Sequence, residues 1–191
     1  MLLDRHISLA QRFLMLFFIL ANVPEAMASK SDVERSKGRL VKMTAPLPNF
    51  HEVHPFLYRG GQPDSEGLHK LDEMGIKTVI DLRAQSAATR GEKAKLEGLG
   101  IKYINLPMSD QAPTARQVDI FTKTVKEAKE KNEPLFLHCA HGSDRTGCLV
   151  GIWRVTEDGY SYEQAYKEML KYYFGRQFTK LSAAVKSRAA K

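Results

Sequence analysis

Leu135-Phe136-Leu137 is a continuous apolar run that follows Pro134 and passes without a break into His138-Cys139-Ala140-His141-Gly142-Ser143-Asp144-Arg145-Thr146-Gly147. A helical pattern begins directly afterwards. So short an apolar run reads as a strand buried on both faces, so the order here is strand, loop, helix. That order constrains the fold more than any other feature of the chain. A helix N-terminus presents unpaired backbone N–H groups and the positive end of the macrodipole, so a loop wrapped in front of it is suited to an anion such as phosphate. Gly142 lets the loop turn tightly.

The rest of the chain repeats the alternation. Residues 56–59 form a short apolar stretch stopped by Gly60-Gly61-Gln62-Pro63, read as a strand and a turn. Leu68, Leu71 and Met74 share one helical face, with Asp64 or Ser65 to cap its start and Gly75 to end it. Thr78-Val79-Ile80 is a β-branched run that predicts a buried strand over 77–82, with Arg83 at its end. Residues 92–99 read as a helix, 102–106 as a strand and 114–131 as an amphipathic helix through Val118, Phe121 and Val125. Helices are expected over 146–157, 161–173 and from about 177 onward. The chain therefore predicts an α/β fold, a central largely parallel sheet of about four to five strands flanked by helices.

The N-terminal stretch reads differently. The apolar run 13–21 follows Arg5 and Arg12 and is too short to span a bilayer; Ala26-Met27-Ala28 supplies small residues where a signal peptidase reads them. The expectation is a signal peptide over 1–28, a flexible leader over 29–48 rich in Lys, Ser, Arg and Pro, and one domain over 49–191. Export to the periplasm or the exterior follows from that reading, with no stable membrane span.

Of the 191 residues two are cysteines, Cys139 and Cys148, too few for a disulfide framework and wrongly arranged for a zinc site. No metal or other cofactor is called for. The formal charge of +7 favours anionic partners. No interleaving of basic and aromatic residues supports nucleic-acid binding. The Tyr-rich stretch 160–174 is spaced as core, and the charged helix 123–131 as a solvated face.

Cys139 opens the loop, where a helix dipole and a guanidinium favour a thiolate, the nucleophilic form of the side chain. Attack on phosphorus would give a phosphocysteine that water then hydrolyses, with the amides of Ala140, His141, Gly142, Ser143 and Asp144 and the two parallel donors of Arg145 holding the transferring group. His141 projects from the rim toward substrate or solvent. Arg83 either reaches the substrate or ion-pairs with Asp81 or Glu92. Cys148 falls inside the following helix and reads as a packed core residue.

The run His138 to Gly147 resembles the signature of the protein tyrosine phosphatase superfamily: His-Cys, five residues, then Arg, Ser or Thr, and Gly. Tyr58-Arg59-Gly60-Gly61-Gln62-Pro63 and Thr78-Val79-Ile80-Asp81-Leu82-Arg83 resemble the opening of compact dual-specificity-like phosphatases, a group with plant, fungal and bacterial members, some acting on inositol polyphosphates. The resemblance implies that fold, a loop-orienting role for His138 and a hydroxyl at Thr146 that steadies the thiolate. It also implies a proton donor on a loop upstream of the cysteine. Asp110, in the helix-free stretch 106–113, fits that place; Asp144 competes with it, because bacterial relatives carry an aspartate before the arginine. Asp110 is preferred because a donor must sit on the leaving-group side. The expected function is metal-independent hydrolysis of a phosphate monoester, either an inositol polyphosphate or phosphotyrosine in a phosphoprotein. The alternative is an inactive module that binds phosphate or polyanions.

Overall fold

The computed structural model describes residues 45–189. The expected signal peptide and most of the leader lie outside them. Five strands form one sheet: β1 (His51–His54), β2 (Leu57–Gly60), β3 (Thr78–Asp81), β4 (Lys102–Asn105) and β5 (Leu135–His138). Their order is β1-β2-β5-β3-β4; β1 runs antiparallel to β2 and every other pairing is parallel. The α/β fold read from the sequence is the fold observed. Strand β1 has no counterpart in that reading, because it is a four-residue edge strand with one buried residue, Val53.

Among the described residues six helices cover the sheet: α1 (Ser65–Glu73), α2 (Ala87–Gly98), α3 (Ala115–Lys131), α4 (Asp144–Thr156), α5 (Tyr162–Lys171) and α6 (Thr179–Lys186). Side chains alternate across the strands, so β2 to β5 each serve two cores. Val79 and Phe136 join Leu68 and Leu71 of α1 and Leu96 of α2. Ile80, Leu135 and Leu137 join Phe121 and Val125 of α3 with the buried faces of α4, α5 and α6. Helices α2 and α3 start in capping boxes, Ser86 with Thr89 and Thr114 with Gln117. Each cap contributes about 1 kcal/mol. The first box explains why α2 begins earlier than its apolar spacing suggests.

The domain also begins before Asn49. The amide of Asp64 donates to the carbonyl of Pro46 at 3.1 Å and that of Gly61 to Pro48 at 2.7 Å, so residues 46–48 are part of the packed domain rather than of a leader. No helix among the described residues is long and apolar enough to cross a membrane.

Parallel register brings three strand ends to one level, Gly60 and Asp81 each opposite His138. The loop that leaves β5 therefore sits in the crevice beyond the carboxyl ends of the strands, where open α/β sheets bind ligands.

Candidate active site

Cys139 is 2% exposed at the end of β5, and its Sγ accepts the amide of Gly142 at 3.3 Å. Gly142 has φ of 71°. A Cβ there would collide with the carbonyl carbon of Gly60 and lie 2.5 Å from Gly60 O and Gly61 N, so both torsion and space require glycine. Ser143 precedes α4 with no side-chain cap, leaving the first-turn amides turned toward the loop. Arg145, in the first turn, donates from Nη1 to the carbonyls of Leu82 at 3.2 Å and Met108 at 3.5 Å, which anchors one side of the guanidinium at the strand ends. Ala140 and His141 lie at the rim, His141 exposed. The Thr146 hydroxyl is fully buried and makes no hydrogen bond, so the thiolate contact implied for it is absent and Gly142 provides the bond to sulfur instead.

The floor of the loop is the end of β2. Gly60 packs against Gly142, a Cβ on Gly61 would lie 3.0 Å from Ala140 O, and the amide of Gln62 donates to that same carbonyl at 3.1 Å. Arg59 is wholly buried, and its Nη2 donates to the carbonyl of Gly142 at 2.7 Å. Asn49, in the left-handed region at φ 48°, donates from Nδ2 to the carbonyls of His141 at 3.4 Å and Tyr172 at 3.2 Å. Arg59 and Asn49 were missed by sequence reasoning. The signal for Arg59 is its place two residues after core Leu57 on a strand, which puts its charge on the inward face.

On the far side of the loop lies a buried ion cluster. His138 approaches Glu92 with Nε2 to Oε1 at 2.9 Å, close but not aligned for a hydrogen bond, and its Nδ1 lies 3.2 Å from the carbonyl of Cys139. Arg83 is bound to Asp81 through Nε and Nη2 and to Glu92 through Nη2 at 2.6 Å. Tyr103 donates to Asp81 at 2.8 Å. Burial alone would raise the Asp81 carboxyl, but the Arg83 hydrogen bonds, the charge of His138 and the Tyr103 hydroxyl outweigh it and hold it below the usual range. This corrects the substrate-binding alternative for Arg83 in favour of the ion pair: Arg83 is 8% exposed and bound to both Asp81 and Glu92. Asp81, Glu92 and His138 could converge on a metal ion, but Arg83 already occupies both carboxylates.

The two candidate acids part company. Asp144 accepts the amide of Gly175 through Oδ1 at 2.8 Å and so ties the α5–α6 connection to the loop. Asp110 is exposed on the β4–α3 connection, which is pinned by Met108 N to Leu82 O at 3.1 Å and by Gln117 Nε2 to Pro107 O at 2.5 Å. Gln111 donates to Asp110 at 2.9 Å and accepts Lys180 Nζ at 2.6 Å. Beside Met108 opens a groove of about 400 Å³ lined by Ala84, Pro107, Ser109, Gln111 and Pro113, none of them charged. Cys148 is buried and donates to Leu181 O at 3.4 Å, with burial pushing its thiol up to about 12.

A cysteine at the end of a central parallel strand, a tight loop and an arginine on the first turn of the next helix define the class of cysteine-dependent phosphatases. Residues 41–187 match the family described as DSP-PTPase phosphatase fused to NAD+ kinase, and the chain belongs to that family. It is 27% identical over 131 residues to dual specificity protein phosphatase TpbA of Pseudomonas aeruginosa, covering 68% of this chain and 57% of TpbA. It is 31% identical over 113 residues to inositol diphosphatase DSP3 of Arabidopsis thaliana, covering 58% and 55%. The matched region thus spans little more than half the length of these relatives. The crystal structure of the core catalytic domain of the PP-IP phosphatase SIW14 from S. cerevisiae superposes with a TM-score of 0.65 at 24% identity, over 74% of this chain and 86% of that one. A structure of TpbA in complex with pTyr gives 0.62 at 23%, over 72% and 83%.

Proposed function

We propose that the protein hydrolyses phosphate monoesters through a phosphocysteine formed on Cys139. The supporting observation is the loop itself: a buried sulfur bonded to a loop amide, the α4 N-terminus behind it and Arg145 beside it. The Cys139 thiolate attacks phosphorus, the P–O bond to the leaving group breaks, and the proton needed by the departing oxygen comes from Asp110. Asp144 is the poorer donor because it belongs to the loop that surrounds the phosphate and not to the leaving-group side, and its Oδ1 holds the backbone of Gly175. Water then attacks phosphorus, giving a proton back to the Asp110 carboxylate, the S–P bond breaks to restore the Cys139 thiolate, and inorganic phosphate leaves. Loop amides and Arg145 stabilise the charge on the equatorial oxygens in both steps.

For the substrate, the uncharged groove beside Met108 favours one phosphate on a neutral group, as in phosphotyrosine. Arg59 and Arg83 are buried and committed, which leaves Arg145 as the loop's own cation. The TpbA complex with pTyr agrees with this reading. A second reading, an inositol polyphosphate, is favoured by Arg176 and Lys180 on the segment bound to Asp144 and Gln111, and DSP3 and SIW14 carry inositol or PP-IP names. Phosphate release by the full chain and by Cys139→Ser, on a phosphotyrosine peptide and on inositol hexakisphosphate with chelator present, tests both. Release that persists in the serine variant refutes the mechanism; the ratio of the two rates decides the substrate. We infer in addition that residues 1–28 direct export. N-terminal sequencing of the protein recovered from the producing cells is expected to start at Ser29, and retention of Met1 in all of it refutes export by cleavage.

A further inference from the structure

We propose that Arg59 is the buried cation that holds Cys139 as its thiolate, acting from the floor of the loop as a positioning residue that never touches substrate. Arg59 has no exposed surface, yet no carboxylate forms a hydrogen bond with it. Its sole hydrogen bond is the one to Gly142 O, Nε and Nη1 have no partner, and its guanidinium lies 4.7 Å over the ring of Tyr172. A charge so placed is costly unless an anion balances it. Gly142, which Arg59 holds through its carbonyl, gives its amide to the sulfur of Cys139. The cation and the sulfur therefore grip the same residue from opposite ends. Burial lowers the guanidinium to about 10, and Glu168, Cys139 and Tyr172 act in the other direction as the negative groups it feels, against Arg154. Attraction is mutual: a thiolate at Cys139 steadies Arg59, and Arg59 steadies the thiolate.

The other groups around the sulfur do not make Arg59 redundant. His138 on β5 faces Glu92 and lies near Asp81. Arg145 on α4 is directed to Leu82 and Met108, and the α4 N-terminus contributes only partial charge. Arg154 is bound to Glu168 and Asp158.

The inference rests on Cys139 being the nucleophile, so its test reads the cysteine without a substrate. The rate of iodoacetamide alkylation of Cys139 in the full chain is measured against pH. Arg59→Met is expected to move the midpoint up by about one pH unit, making Cys139 about tenfold less reactive below it. Arg59→Lys, which keeps the charge, is expected to restore most of the profile. Glu168→Gln removes an anion that competes for Arg59 and is expected to move the midpoint down. A packing role for Arg59 predicts no such opposition of sign. Coincident profiles for wild type and Arg59→Met overturn the proposal, as does a lysine variant that behaves like the methionine one. Should Arg59→Met fail to fold, an upward or absent shift in Glu168→Gln overturns it equally. Absence of phosphatase turnover in the wild type, with the alkylation profiles as expected, would refute the proposed reaction but not the coupling of Arg59 to the Cys139 thiolate.

Discussion

Replacing Gly142 with alanine separates two costs that are usually confounded. Gly142 and Gly75 have nearly equal backbone torsions, φ 71° and 74°. Alanine in that region costs about 1–2 kcal/mol at either position. At Gly75 a Cβ meets nothing within 4 Å, whereas at Gly142 it runs into the backbone of Gly60 and Gly61, which no side-chain rotation can relieve. Crowding of this kind adds about 1–3 kcal/mol. The expected totals are about 2–5 kcal/mol for Gly142→Ala and about 1–2 for Gly75→Ala. In a domain of this size 1 kcal/mol moves Tm by about 2–4 °C, so thermal unfolding followed by circular dichroism should show a drop of about 10 °C against about 4 °C. Activity should separate them further. Relief of the clash moves the Gly142 amide away from Cys139, and a shift of about 1 Å costs on the order of 100-fold in kcat. Gly75 lies after α1, away from the loop, so its variant should turn over at the wild-type rate. Equal losses of Tm and of kcat in the two variants would refute the argument that Gly60 and Gly61 form the floor of the loop.

Asp110→Asn should lower kcat about 100-fold or more on an alkyl phosphate and much less on an ester of an acidic phenol, which needs no proton to leave; Asp144→Asn should instead lower Tm, and the reverse pattern in steady-state kinetics would exchange their roles. Asp81 is held below its ordinary value of 3.8, so the native state binds fewer protons than the unfolded chain, and the stability it contributes is complete above that pH and lost as pH falls through the native value. Chemical denaturation at stepped pH should therefore show a steeper acid loss in the wild type than in Asp81→Asn; parallel curves would contradict the direction given for Asp81. Mass spectrometry after brief iodoacetamide treatment at neutral pH should find Cys139 modified and Cys148 intact, because burial keeps the latter a thiol; equal labelling would mean that α4 and α6 separate in the native protein.

What the sequence showed of this site depended on whether each part acts locally. Cys139, Gly142, Arg145 and the helix behind them are contiguous, so strand, turn and helix signals place them together without knowledge of the rest. Strands β2 to β5 were legible through their apolar runs, α1 through apolar spacing with a cap, and α3 through apolar spacing alone. Strand β1 was not, because an edge strand with polar neighbours has no period to detect. Arg83 was legible as an arginine at a strand end but not in its use: whether it meets substrate or carboxylates depends on α2 laying Glu92 against β3, a packing event. Pro48 ends the stretch whose composition reads as leader and Asn49 directly follows it, and their bonds to Gly61 and Tyr172 are long-range.

The same long-range contacts explain why two short sequence stretches outside the loop accompany it. Tyr58 to Pro63 supplies the cation under Gly142 and the two glycines that let the loop approach β2. Thr78 to Arg83 supplies the carboxylate and the guanidinium that, with Glu92, enclose His138. The loop is therefore gripped from both neighbours of β5 in the sheet, by a cation on the β2 side and by an ion-paired cluster on the β3 side. These differ in what they can do for chemistry. A cluster in which one guanidinium, Arg83, holds two carboxylates, Asp81 and Glu92, fixes geometry and offers no net positive charge to the sulfur. Arg59, with no hydrogen-bonded carboxylate, extends its field to the loop as well as to Glu168. Shape and charge at Cys139 thus come from opposite sides of one strand.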